Sequence, residues 1–186
     1  MKDIQEIVVI YDTSNQGKTS TLRELVNLLA NSMPNTNGDI RAIIQDYHVK
    51  GQKKKVNIYI ATCGDTTDVI EDNIRFFRSK MPDSKQYPCY LYKKGKWDLI
   101  QSRNQISDIK ANICFSACRT DGNGVDAMQY FIHRNLAYTF ASVWIRLRIL
   151  RQKLNVHKTK RKTPDWTKLA SELKNMIDCK FARRIK

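Results

Sequence analysis

The chain has 186 residues, 41% of them apolar, enough to bury one compact domain with a modest appendage, and no apolar run approaches the roughly 18 residues of a membrane-crossing helix. Its opening, MKDIQEIVVIYD, passes from acidic residues straight into a strand pattern instead of a signal-peptide core, so a soluble, cytoplasmic protein is expected. The net charge of +15 is uneven: residues 1–145 carry 19 Lys+Arg against 15 Asp+Glu, whereas residues 146–186 carry 14 against 3, a balance that suits a polyanionic partner.

In chain order, EIVVIY at 6–11 is a short β-branched run of the kind buried on both faces of a parallel sheet. A loop without apolar residues follows. Leu22, Leu25, Val26, Leu28 and Leu29 then mark one face of a helix from about Lys18 to Ser32, ended by Pro34, Asn35, Asn37 and Gly38. Strands at Ile40–Tyr47 and Val56–Thr62 are joined by HVKGQKKK, too short for a parallel crossover, so these two pair antiparallel. Asp68 and Glu71 suggest a capped helix over 69–80, carried by Val69, Ile70, Ile74 and Phe77.

CYLYKKGKWDLI reads as a hairpin turning at Lys94 and Gly95, a short helical piece is expected near Ile106, and NICFSACR is a further strand. From Val125 to about Val156, Met128, Phe131, Ile132, Leu136, Phe140, Val143, Trp144, Leu147, Leu150 and Leu154 suit one or two helices in series. A last helix is signalled by Thr163 as cap, Pro164 at the first turn, Asp165 at the positive end of the dipole, and a stripe of Trp166, Leu169, Leu173, Met176, Ile177 and Phe181. The division expected is an α/β domain over 1–156 and a basic C-terminal helix over 157–186, packed on it or appended to it.

The motif that carries chemistry is Asp12-Thr13-Ser14-Asn15-Gln16-Gly17-Lys18-Thr19, which fits G-x-x-x-x-G-K-[ST] with Asp12 in place of the first glycine. A loop of backbone N–H groups running into a helix N-terminus surrounds phosphate oxygens, and the helix dipole favours their charge. Thr13, Ser14, Asn15, Gln16, Gly17, Lys18, Thr19 and Ser20 are the candidate phosphate-binding residues. Lys18 neutralises the β- and γ-phosphates and the Thr19 hydroxyl can ligate Mg²⁺. A carboxylate at Asp12 would repel phosphate unless it turns away; aspartate tolerates the left-handed backbone that the turn requires.

Residues 4–32 thus resemble the opening βα unit of P-loop NTPases, and the order of later elements to residue 135 is compatible with their mostly parallel sheet carrying one antiparallel strand. The resemblance implies a second acidic residue at a strand end holding Mg²⁺ through water, for which Asp46 and Asp65 are the candidates. An antiparallel second strand sends Asp46 to the far edge of the sheet and leaves Asp65 beside the loop, so Asp65 joins Lys18 and Thr19 as a catalytic and metal candidate. The antiparallel second strand is also the arrangement of small GTPases, and Asp121 falls where their base-reading N-K-x-D motif would lie. The Asn and Lys of that motif are missing, and so is a D-x-x-G after the third strand, which favours ATP over GTP.

Three weaker patterns accompany the motif. YPCYLYKKGKW interleaves aromatics with lysines, as a stacking surface for single-stranded nucleic acid would, or as a hairpin whose rings cover the core. Arg146, Arg148 and Arg151 could bring guanidinium groups onto phosphates from a lid, or lie on a solvated face. Lys158, Lys160, Arg161 and Lys162 suit a phosphate backbone. The five scattered cysteines lack a CxxC pair or zinc spacing and read as reduced, mostly buried thiols; His48, His133 and His157 form no group. The leading expectation is an Mg²⁺- and ATP-binding NTPase or phosphotransferase. The alternative is a nucleotide-regulated or nucleotide-free binding module whose basic C-terminal region engages nucleic acid or an acidic partner.

Overall fold

The computed structural model describes residues 5–83, 86–136, 140–156 and 165–182. A seven-stranded mixed sheet, mostly parallel, is flanked by five helices. Strand β1 (Glu6–Asp12) leads into helix α1 (Lys18–Ala30); β2 (Arg41–His48) and β3 (Lys55–Ala61) follow, then α2 (Thr67–Phe77), β4 (Cys89–Lys93), β5 (Lys96–Leu99) and a 3-10 turn at Arg103–Gln105. Next come β6 (Ile113–Arg119), α3 (Gly124–Asn135), β7 (Ala141–Arg146), α4 (Leu147–Lys153) and α5 (Trp166–Ala182). The strand order is β5-β4-β2-β3-β6-β1-β7.

Alternation along each strand divides the core into two layers. Val8 and Ile10 of β1 face α1 and α5, together with Ile58, Ile60, Ile113, Phe115, Val143 and Ile145. Ile7 and Val9 face the α2 and α3 side, with Tyr59, Cys114, Phe76, Phe77 and Met128. Helix α5 packs on α1 through Leu169, Leu173, Ile177 and Phe181, all buried in the first layer. Truncating a leucine in such a site costs about 2–5 kcal/mol, so α5 is part of the folded unit and not a loose tail. Its first turn is capped by Asp165, whose carboxylate accepts the Lys168 N–H at 3.2 Å. The expected Thr163 cap and Pro164, with His157 and the basic run of Lys158, Lys160, Arg161 and Lys162, lie outside the described residues. Among the described residues no helix is long and apolar enough to cross a membrane.

Strands β2 and β3 pair antiparallel, and β4 and β5 form the hairpin, with Lys94 (φ 51°) and Gly95 (φ 82°) supplying the two left-handed turn residues that match strand twist. Several expectations are corrected. Two strands run against the rest, because β4 pairs parallel with the reversed β2. The segment from Val125 to about Val156, expected as one or two helices in series, holds α3 and α4 with β7 between them, paired in parallel with the free edge of β1. Phe140, Val143, Trp144 and Leu147 satisfy a helical spacing, yet Val143 and Ile145 enter one core layer and Trp144 the other, the two-residue period of a strand. Helix α2 starts two residues before the expected 69 because Thr66, not Asp68, is its cap: the Thr66 side chain accepts the Val69 N–H. It stops at Phe77, and Ser79 then takes a left-handed conformation at φ 56°.

Candidate functional site

The turn from β1 into α1 is built on left-handed residues. Asn15 has φ 56° and Gly17, the residue before the first helical turn, has φ 85°. A side chain at Gly17 is disfavoured by the backbone, and an added Cβ, falling 2.1 Å from Cη2 of the Trp166 indole, would require that ring to shift. The six-residue stretch from Asn15 to Ser20 lines a cleft of about 340 Å³ together with Asp65, Arg119 and Trp166.

Lys18 is 7% exposed and folds back over the loop, its Nζ donating to the carbonyl oxygens of Thr13 (2.6 Å) and Asp12 (3.0 Å). Loss of hydration pulls the ammonium's pKa below the usual lysine value; the Asp65 and Asp12 carboxylates oppose this, and Arg119 adds to it. The Thr19 hydroxyl donates to the Thr62 carbonyl at 3.1 Å, tying the head of α1 to the end of β3. Ser20 lines the cleft. Gln16 accepts a hydrogen bond from Arg151 Nη2 at 2.9 Å, and Arg151 Nη1 is buried with no acceptor among the described residues.

Asp12 turns away from the cleft. It is wholly buried, and its carboxylate accepts the Thr13 N–H (2.9 Å) and the N–H of Arg148 (2.7 Å) in the first turn of α4, with the Arg148 guanidinium 3.6 Å off. Of the three arginines expected along one helix, as a lid over phosphates or as a solvated face, Arg146 falls on a strand while Arg148 and Arg151 share α4. Arg146 ends β7, Arg148 is held by Asp12 where the loop leaves β1, and Arg151 reaches Gln16 within the loop.

Asp65 follows β3 and is placed by close backbone contact: a Cβ on Gly64 would fall 1.9 Å from the Ala117 carbonyl oxygen of β6. Asn73 fastens the same strand end, donating to the Cys63 carbonyl at 2.7 Å while accepting from the buried Arg41 Nε at 2.8 Å. The Asp65 carboxylate is gripped at two points by Arg119, Nε at 2.7 Å and Nη2 at 3.1 Å. Strand β6 lies between β1 and β3, and its terminal Arg119 therefore stands between Asp65 and the loop strand. Asp46 is at the opposite end of the sheet, left-handed (φ 56°) at the bulge between Ile44 and Tyr47, its N–H given to Asn57.

Asp121 lies beyond the end of β6 and accepts from the Ser14 hydroxyl at 2.7 Å. That hydrogen bond, chiefly, holds its carboxyl below the ordinary aspartate range. It braces the loop but does not line the cleft. Arg119 and Trp166 are the site residues that sequence reasoning missed. Arg119 is visible only once β6 is known to be central, and Trp166 reads in the sequence as one more apolar position of the α5 stripe.

Among the described residues no group of three or more His, Cys, Asp or Glu side chains could hold a metal by itself. Magnesium bound with a nucleotide needs less, one or two protein oxygens with phosphates and water completing its shell. The Thr19 hydroxyl and Asp65 carboxylate border the same cleft and fit that role. No protein-family model, curated protein or solved structure matches this chain.

Proposed function

We propose that the chain binds a nucleoside triphosphate with Mg²⁺ in this cleft, ATP in preference to GTP, as a small NTPase or phosphotransferase. The observation that carries the reading is the joining of a left-handed Gly17, the N-terminus of α1 and the inward Lys18 and Thr19 on one polar cleft that Asp65 and Arg119 also line. The loop N–H groups and the helix dipole favour phosphate oxygens there. Lys18, now resting on two carbonyls, exchanges them for phosphate oxygens, which offer its ammonium a charged partner. Thr19 and Asp65 hold the magnesium, which neutralises charge on the β- and γ-phosphates; Asp65 must let go of Arg119 to do so, leaving that guanidinium free to face the phosphates. The commitment of Asp121 to Ser14 removes a base-reading carboxylate from the cleft and supports ATP over GTP.

A second reading, nucleotide-regulated binding without turnover, is favoured by one feature. Asp65 is the one carboxylate among the described residues lining the cleft, so if it holds metal none is left there to orient an attacking water. Calorimetry with ATP and with GTP, each with Mg²⁺, tests the site: Lys18→Ala should weaken binding at least tenfold. Equal affinity in both proteins overturns the phosphate-loop reading. A phosphate-release assay, with and without nucleic acid, then separates turnover from regulated binding.

A further inference from the structure

Trp166 is the first residue of α5, yet its indole reaches the phosphate loop. Cη2, with its ring neighbours Cζ2 and Cζ3, comes nearest the position a Gly17 Cβ would take, and that position stands over the ring plane, so one face of the benzo ring lies against Gly17 and the opposite face is the one left for a ligand. The ring is half-buried and borders the cleft, whose other lining residues are all polar or glycine. It is the one aromatic side chain among the described residues lining the cleft.

The support behind this side chain is rigid. Leu169, Ala170 and Leu173, one to two turns further along α5, are fully buried against the α1 side of the sheet. The Thr167 hydroxyl also donates to the Glu24 carboxylate of α1 at 3.3 Å. The indole is therefore held at a fixed height beside Gly17 before any ligand arrives, and little ordering is required on binding.

We infer that Trp166 is the base platform of the cleft, stacking on the purine of a nucleotide whose phosphates lie in the 12–19 loop; this rests on the phosphate-loop reading above. Stacking on an indole favours purine over pyrimidine nucleotides and reads no hydrogen-bonding edge, so it selects base size and not adenine over guanine.

The test is calorimetry of wild type, Trp166→Ala, Trp166→Leu and Trp166→Phe with Mg²⁺ and, in turn, ATP, CTP and inorganic tripolyphosphate. Wild type should bind ATP more tightly than CTP or tripolyphosphate. Trp166→Ala should lose about tenfold to a hundredfold for ATP and less than threefold for tripolyphosphate, and Trp166→Phe should keep most of the ATP affinity. Trp166→Leu, which retains bulk against Gly17 without an aromatic face, should behave as the alanine variant and carries the test if the latter does not fold. An equal loss for ATP and tripolyphosphate would mean that the ring only shapes the loop, and unchanged or tighter ATP binding that it obstructs the cleft; either overturns the platform. Equal binding of ATP and tripolyphosphate by wild type overturns the platform alone, whereas binding of neither overturns the phosphate-loop reading and the platform with it.

Discussion

Replacing Asp12 by Ala separates the two things a carboxylate at that place could do. Its oxygens accept the N–H groups of Thr13 and Arg148, and hydrogen bonds to a charged acceptor contribute about 1.5–3 kcal/mol each when one partner is removed. The second of these bonds also supplies the side-chain acceptor at the start of α4. The Arg148 guanidinium is 47% exposed at 3.6 Å, so its ion pair adds less than about 1 kcal/mol. Against these stands relief from burying an ionised group, which leaves a net destabilisation of about 2 kcal/mol. For a chain of this length that lowers Tm by about 4–8 °C. Calorimetric melting measures it, and ATP titration of the same protein should show affinity within threefold of wild type, since the carboxylate does not reach the cleft. Asp12→Gly, which restores the more usual loop residue, should be destabilised likewise and gain no affinity. A Tm shift under about 1 °C would refute the bracing of α4 by Asp12. A tenfold loss of affinity in the folded variant would refute its orientation away from phosphate.

Three further outcomes follow from the geometry. Burial lowers the Lys18 pKa from 10.5, and phosphate prefers the protonated form, so ATP affinity should decline as pH rises from neutrality towards 10.5, whereas Lys18→Arg should stay flat over that range; parallel pH profiles would overturn the assignment. Burial pushes the thiols of Cys63 and Cys118 up to about 12 and Cys89 up to about 11, with Cys114 higher than its usual value as well, so a thiol reagent at pH 8 should label exposed Cys179 quickly and the other four only on unfolding. If the basic C-terminal region binds nucleic acid, changing Lys158, Lys160, Arg161 and Lys162 to Gln should flatten log K against log salt on duplex DNA by roughly three to four units, as read by fluorescence anisotropy; no binding at low salt rejects that partner.

Local patterns were legible where one residue type has one job. The β1–loop–α1 unit, the β2–β3 pairing and the Lys94–Gly95 turn are each encoded within a dozen residues, and the sequence reading placed them correctly. What the sequence hid depends on remote neighbours. Strand β7 carries an accidental helical spacing, and only the open edge of β1 makes it a strand. The insertion of β6 between β1 and β3 leaves no mark in either strand, so the reach of Arg119 to Asp65 could not be foreseen. Asp12 looked like a defect of the loop motif because its partner Arg148 is 136 positions away. The hairpin aromatics show the same limit: Tyr92 and Trp97 lie 5.0 Å apart, Trp97 Nε1 donates to Ser32, and both rings pack on the core, a pairing that no linear pattern of Tyr and Lys announces.

The bracing of the loop from α4 and α5 has a consequence for the order in which the chain acquires structure. The turn around Gly17 is short-range and is synthesised before its braces, since Asp12 waits for Arg148, and Glu6 at the start of β1 waits for Lys180, 174 positions later. Bringing such distant segments together costs chain entropy before any contact forms, so they belong among the late events of folding. During translation the loop is therefore without its α4 brace until the 136 positions that separate Asp12 from Arg148 have been made. A nascent chain halted before α4 would display the phosphate motif in full and hold it in no fixed shape.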